Sequence, residues 1–220
     1  MKTTVFAVIL GVAAFALPLG AETIGAEESY DLLFKNGTLD AVDRDSGLEY
    51  RREVTSELVP EAEDRDTGDI QLAFLETEPA AVALSLHQDG KERGLGTFPA
   101  SVGNPIIMYF YETTVRDMAE AAGGSPFYIR NRVKDALTQP AEIEKGSETF
   151  EGREIETTRI TLRPFENDPN RGRMQGFGDL TLSVTMSDEV PGWYLGLEAS
   201  VPGDEAPIYH STLTFDGVAE

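Results

Sequence analysis

Alternation of apolar and polar residues is the feature that most limits what this chain can form. Leu180, Leu182, Val184 and Met186 occupy every second position of one stretch. A period of two places such side chains on one face of a β-strand, and burial of one face is typical of antiparallel sheets. The pattern returns in the next stretch, at Trp193, Leu195, Leu197, Ala199 and Val201. The chain is therefore predicted to build an antiparallel sheet.

The same alternation, bounded by turn residues, predicts about 11 strands along the chain. Asn36-Gly37, Asp89-Gly90 and Glu151-Gly152 are pairs that suit tight hairpin turns. The predicted strands are Ser29 to Lys35, Thr38 to Val42, Leu48 to Ser56, Asp69 to Glu76, Ala80 to Gln88, Lys91 to Phe98, Glu142 to Phe150, Arg153 to Phe165, Phe177 to Met186, Trp193 to Val201 and Ile208 to Phe215.

The segment near 104–138 instead contains residues that typically begin and end helices. Asn104-Pro105 supplies a helix start and Gly123-Gly124 a helix end, after which Ser125-Pro126 starts a second helix. Pro140 lies just past the end of that second helix. The predicted fold class is mainly β (α+β), an antiparallel curled sheet or incomplete barrel with a helical hairpin packed on its concave face.

This order of strands, helical hairpin and strands resembles the periplasmic lipoprotein carriers of the LolA/LolB type. The resemblance lies in the architecture and extends over most of the chain after residue 21. It implies an incomplete antiparallel barrel that curls around helices and shelters a hydrophobic cavity for acyl chains.

The first residues, MKTTVFAVILGVAAFALPLGA, have the order of a secretory signal. Lys2 precedes an apolar run from Val5 to Leu17 that is too short to span a bilayer, and small residues follow at Gly20 and Ala21. Residues 1–21 are predicted to be cleaved, which leaves 22–220 as a single β-rich domain. The chain has no cysteine, which excludes a lipidation thiol and a disulfide framework. We expect an unanchored protein of the periplasm of a Gram-negative bacterium.

The charge of the chain is strongly negative and unevenly spread. The formal net charge of −21 argues against nucleic acids and anionic membrane surfaces as partners, because both require a basic face. Residues 22–78 contain 17 acids and five bases, and residues 174–220 contain eight acids and no Lys or Arg. Residues 116–173 contain ten bases and 11 acids. An anion-binding surface is therefore expected in this middle third.

Two near-identical stretches, DRDSG at 43–47 and DRDTG at 64–68, raise the question of a metal site. A calcium loop of the EF-hand type needs glycine in sixth place and an acid in twelfth. Here the glycine is fifth, and the twelfth residues are Val54 and Leu75. Surface turns explain both stretches better than calcium loops or a true repeat, so neither a metal nor a cofactor is predicted.

Two groups of residues are candidates for ligand binding. The start of the first helix, IIMYFY at 106–111, is apolar on every side, which suits either ordinary core or the wall of a pocket. The stretch RPFENDPNRGRMQGF carries three arginines that suit either an anionic headgroup or pairing with nearby acids. The predicted apolar lining is Ile107, Phe110, Tyr111 and Met118, and the predicted anionic end is Arg163, Arg171 and Arg173.

Catalytic signals are weak. His87 and His210 each lie inside a predicted strand, and no GxSxG, HExxH or phosphate-binding glycine loop occurs. No catalytic residue is assigned, and the chain is not expected to be an enzyme.

Three function classes follow, in this order. The first is a carrier or chaperone for a hydrophobic ligand such as a lipid or an acyl chain. The second is an envelope assembly protein that binds another protein through its surface, and the third is an enzyme of unrecognised type. A large internal cavity would favour the first, and a filled core with an exposed apolar patch would favour the second.

Overall fold

A computed structural model of the chain describes residues 21–219 and places ten antiparallel strands in one sheet. This confirms the predicted fold class, a curled antiparallel sheet with packed helices. The strands are β1 (Glu22–Ile24), β2 (Gly47–Ser56), β3 (Gly68–Leu75), β4 (Ala81–Gln88), β5 (Lys91–Pro99), β6 (Ala141–Phe150), β7 (Arg153–Leu162), β8 (Thr181–Met186), β9 (Tyr194–Val201) and β10 (Tyr209–Ala219).

The spatial order of the strands is β1-β6-β7-β8-β9-β10-β2-β3-β4-β5. Strands β6 to β9 form one block in chain order, and strands β2 to β5 form a second. Strand β10 lies between the blocks and pairs with β9 on one side and with β2 on the other. The end strands β1 and β5 do not pair with each other, so the sheet formed by the described residues is open.

Two of the predicted tight turns form as their sequences require. Asp89 and Gly90, between β4 and β5, both have positive φ, and so do Glu151 and Gly152 between β6 and β7. Positive φ at both central residues is the geometry whose twist matches the flanking strands of a hairpin. Local turn chemistry therefore sets the register of both hairpins.

The helical hairpin also forms where it is predicted, as α3 (Ile106–Ala122) and α4 (Pro126–Leu137). The Oδ1 atom of Asn104 accepts a hydrogen bond of 3.1 Å from the Ile106 N–H, and Gly123 ends α3 in the left-handed conformation. Side chains of α3 contact β2 and β10, since Thr113 bonds Arg52 and Asp117 bonds Tyr209. Helix α3 therefore lies against the middle of the sheet.

The strand pair predicted for residues 29–42 is wrong. Residues Ala26–Leu33 form a helix, α1, and residues 36–42 are turns. Glu27 and Glu28 in the first turn favour the helix through its dipole, and the buried pair Ser29 and Leu33 has the four-residue spacing of one helix face. The sheet instead gains β1, a three-residue strand that pairs with the start of β6.

The two DRD(S/T)G stretches differ in structure, so only one of the two predicted turns is confirmed. In the first, the Ser46 N–H donates to the Asp43 carbonyl at 3.2 Å, as a turn requires. In the second, residues 64–66 belong to a short helix, α2 (Glu61–Asp66), and Asp66 is fully buried. The arginines around Asp66 make this carboxylate part of an ion-pair network.

The inner face of β9 differs from the predicted alternation because of a bulge. Thr185 pairs with Gly196 and Met186 pairs with Tyr194, which leaves Leu195 without an opposite residue. Tyr194 is consequently buried, whereas Leu195 is only half-buried. An extra residue of this kind shifts the side-chain pattern of the strand by one position.

Except for Ala21, the signal peptide predicted for residues 1–21 lies outside the described residues. Within residues 21–219, no helix combines the length and the apolar character needed to cross a membrane.

Candidate functional site

The four residues predicted to line an apolar site all lie in the layer between α3 and the sheet. Ile107, Phe110, Tyr111 and Met118 are all buried and belong to one cluster of core side chains. Every strand of the sheet except β5 also contributes buried side chains to this cluster. The apolar face of α3 thus packs on the sheet, and its role as a ligand wall stays a prediction.

Four tyrosines are buried in the core: Tyr50, Tyr111, Tyr194 and Tyr209. The Tyr50 hydroxyl accepts a hydrogen bond of 2.7 Å from Asn104, and the Tyr194 hydroxyl donates one of 2.7 Å to the Leu33 carbonyl. The Tyr111 hydroxyl has no hydrogen-bond partner among the described residues. Burial raises the pKa of Tyr111, so this hydroxyl remains a proton donor at neutral pH. An uncommitted donor in an apolar layer is a natural contact for a polar atom of a ligand.

Tyr111→Phe and Tyr194→Phe should therefore differ in their effect on the free energy of unfolding, measured in urea. Tyr194→Phe leaves the buried Leu33 carbonyl without its donor, which should cost about 1–3 kcal/mol. Tyr111→Phe removes a hydroxyl that bonds to no described residue, so the protein should be equally stable or more stable. A loss above about 1 kcal/mol in Tyr111→Phe would show that its hydroxyl is bonded in the folded protein.

A surface groove of about 700 Å³ lies between α4, the start of β6 and the segment that follows β7. Its lining includes Ala141 and Leu162, two members of the apolar core that are each 5% exposed. Ala136 and Pro140 add further apolar surface. Core residues therefore lie at the floor of the groove beneath α4, while most of its exposed lining is polar.

The polar rim of the groove has more acids than bases. Its charged residues are Arg132, Asp135, Glu142, Arg163, Glu166 and Asp168, which give two positive and four negative charges. An ion pair of 2.6 Å joins Arg132 to Asp135. Asp168 accepts hydrogen bonds from the Tyr128 hydroxyl at 2.8 and 2.9 Å, which fixes the loop after β7 to α4.

Of the three arginines predicted to bind an anionic end, the structure places only Arg163 in this groove. Arg171 and Arg173 lie together on a short 3-10 turn, Arg171–Arg173, and are exposed. Arg171 pairs with Asp179 and also donates to the Glu166 carbonyl at 3.2 Å. Among the described residues only Arg171 of the three pairs with a carboxylate, and binding of an anion by the three stays a prediction.

Sequence reasoning missed the place where guanidinium groups converge. We call it the arginine cluster: Arg52, Arg65, Arg93 and Arg116 around the buried carboxylates Asp66 and Asp117. Asp66 contacts the side chains of Arg65 at 2.9 Å, Arg93 at 3.5 Å and Arg116. These contacts join α2, β5 and α3.

Asp117 is the second centre of the arginine cluster. Its Oδ1 atom accepts hydrogen bonds from Arg65 at 3.1 Å and from Arg116 at 2.7 and 3.0 Å. Its Oδ2 atom accepts one of 2.9 Å from the Tyr209 hydroxyl. The pKa of Tyr209 is raised by burial first and by the charge of Asp117 second. The cluster therefore ties α3 to the centre of the sheet as well as to α2.

The sequence did contain a signal for this cluster. Leu48, Tyr50, Arg52 and Val54 share one face of β2, and all four are buried. An arginine in the apolar register of a central strand has to face the core, where it needs acidic partners. The charge count along the chain concealed this, because three of the four arginines lie outside the middle third.

The two histidines lie on strands β4 and β10, which are separated by β3 and β2. Three strand spacings amount to roughly 14 Å, so the two rings do not form a pair. His87 contacts the Ser85 hydroxyl at 2.9 Å, and His210 contacts Glu198 at 3.1 Å.

Comparisons with known proteins do not assign this chain to a family. No family model matches the chain, and no curated protein matches it. Among solved structures, a crystal structure of the Mycobacterium tuberculosis lipoprotein LppX is similar, with 11% identity, a TM-score of 0.38, and coverage of 88% of this chain and 96% of that chain. We therefore infer the function of this chain from its own residues.

Proposed function

We propose that this chain is an exported carrier or chaperone for a hydrophobic ligand, such as a lipid or an acyl chain. The observation that carries the proposal is the groove beneath α4, which has the core residues Ala141 and Leu162 at its floor. Its volume of about 700 Å³ lies within the usual range of ligand sites. Export rests on the signal predicted for residues 1–21.

Helix α4 is the element best suited to admit such a ligand. It buries only Ile129, Val133 and Leu137 of its 12 residues, whereas α3 buries nine of 17. It also follows directly on Gly123 and Gly124, which leave the connection to α3 free to bend. Elements with few buried apolar contacts open at low free-energy cost. An apolar chain would enter the layer beside α4 while α3 stays on the sheet.

Filling the groove tests the proposal. Ala136→Phe adds a ring to the groove wall and should weaken binding of a neutral naphthylamine dye, which fluoresces in apolar surroundings, by roughly tenfold. Lys134→Phe is the matched control, because Lys134 is exposed on the same helix and does not line the groove. Circular dichroism verifies that both variants keep the wild-type fold.

Two results would count against the carrier. The dye would show no saturable binding to the wild-type protein, or Ala136→Phe and Lys134→Phe would bind it equally. The first result removes a hydrophobic ligand site altogether. The second leaves a site but places it outside the groove.

The alternative of an assembly protein receives less support from the exposed apolar residues. Val102 and Met108 lie near the start of α3, while Phe127 lies beyond its end. A helix of this length separates the two ends by roughly 25 Å. Val102 and Met108 therefore do not share one contiguous apolar patch, of the kind that marks a protein interface, with Phe127.

A further inference from the structure

The inner end of the arginine cluster has the properties of an anion-binding site. Arg52 is fully buried, and its Nη1 atom donates a hydrogen bond of 2.9 Å to the Thr113 hydroxyl. Its Nε and Nη2 atoms are buried and have no hydrogen-bond partner among the described residues. Buried guanidinium donors are normally bonded, because leaving them unpaired is costly. Arg52 thus has two donors free for an acceptor.

Asp117, the nearest carboxylate, does not use these donors. Its oxygens already accept hydrogen bonds from Arg65, Arg116 and Tyr209. The separation of 3.9 Å between Arg52 Nη2 and Asp117 Oδ2 is too long for a hydrogen bond. Asp117 therefore neutralises part of the local charge but accepts no hydrogen bond from Arg52.

The charge balance of the cluster favours a single negative charge. Its four guanidinium groups are matched by Asp66, Asp117 and Glu120, the last of which pairs with Arg65 at 2.9 Å. The sum is one positive charge, in a chain whose net charge is −21. One carboxylate bound at Arg52 would bring the cluster to neutrality and could accept two hydrogen bonds from the same guanidinium.

The surroundings of Arg52 suit an amphiphile. Tyr50 and Val54 flank it on the inner face of β2, and Phe110 precedes Thr113 by one turn of α3. The half-buried ring of Tyr109 lies over the guanidinium, with 5.3 Å between the ring centroid and Cζ. A carboxylate bound to Arg52 would lie beside Tyr109, with its apolar tail in the layer beside α3.

We propose that Arg52 binds the carboxylate of a long-chain carboxylic acid, whose tail lies in the apolar layer beside α3. The inference rests on the proposed function for the apolar tail and adds the class of the headgroup. It assigns the anionic end to the arginine cluster and not to the acidic rim of the groove.

A fluorescent fatty-acid probe and its methyl ester form the matched pair of ligands for the test. The wild-type protein should bind the acid at least roughly tenfold more tightly than the ester. Arg52→Gln should remove that preference, because it should weaken binding of the acid and leave binding of the ester unchanged. The matched control is Arg51→Gln, since Arg51 is the neighbouring residue on the outer face of β2, exposed and paired with Asp69. It should leave both affinities within about twofold of wild type.

Arg93→Gln keeps the test decisive if Arg52→Gln does not fold. Arg93 is 49% exposed and contributes one positive charge to the cluster. Arg93→Gln should therefore weaken the affinity for the acid about threefold and leave the affinity for the ester unchanged. Equal binding of acid and ester by the wild type overturns the inference while the carrier stands. If neither probe nor the neutral dye binds, the carrier proposal fails, and this inference fails with it.

Discussion

Asp117→Ala should destabilise the protein by about 3–5 kcal/mol, because it removes one member of a buried ion network and leaves its partners without compensation. The side chain of Asp117 is 2% exposed, and it faces Arg52, Arg65, Arg116 and Tyr209. In a domain of this size the loss corresponds to a fall in Tm of roughly 6–20 °C. Differential scanning calorimetry measures it.

Glu120→Ala is the control for that result. Glu120 lies on the same helix and pairs with the same Arg65, but its side chain is 39% exposed. Pairs at the surface are worth about 0–1 kcal/mol, so its loss should lower Tm by only a few degrees. Equal effects of the two substitutions would mean that solvent reaches Asp117 and that the cluster is not buried.

Met118→Ala should cost about 2–5 kcal/mol of unfolding free energy, the usual range for truncation of a buried methionine. Met118 is 1% exposed on the side of α3 that packs on the sheet. The cost combines lost apolar burial with the cavity that remains. Urea denaturation followed by the fluorescence of Trp193, the sole tryptophan of the chain, measures the change.

The matched control for Met118→Ala is Met108→Ala on the same helix. Met108 is 47% exposed, so its truncation should change the unfolding free energy by less than about 0.5 kcal/mol. A similarly small effect of Met118→Ala would place the inner side of α3 in solvent, and packing of the helix on the sheet would have to be abandoned.

The strands and the helical hairpin were predictable because local signals and tertiary packing agree there. The pairs at 89–90 and 151–152 set two hairpins by their own backbone preferences, and glycines and prolines bound α3 and α4. Residues 29–35 were misread as a strand because Tyr30, Leu32 and Phe34 alternate as in a strand. The four-residue spacing of Ser29 and Leu33, and the acids of the first turn, decide in favour of the helix.

The candidate site was less predictable than the fold, for a physical reason. Charge counted along the chain placed an anion site among residues 116–173, but Arg52, Arg65 and Arg93 reach Arg116 only through pairing of distant strands and packing of α2. Helix α2 has no apolar repeat that would reveal it, since Ala62 is its only buried apolar residue. Arg52 alone carried a local signal, its position in the apolar register of β2.

The central position of β10 determines when this protein can fold. Its residues are the last of the sheet to be synthesised, yet they fill the space between β9 and β2 and so join the two blocks of strands. Until they arrive, β9 and β2 are two unpaired edges, and such edges invite pairing with other chains. Contacts this distant in sequence form slowly. A chain that completes its sheet in this way can become compact only after its final strand, β10, has been synthesised.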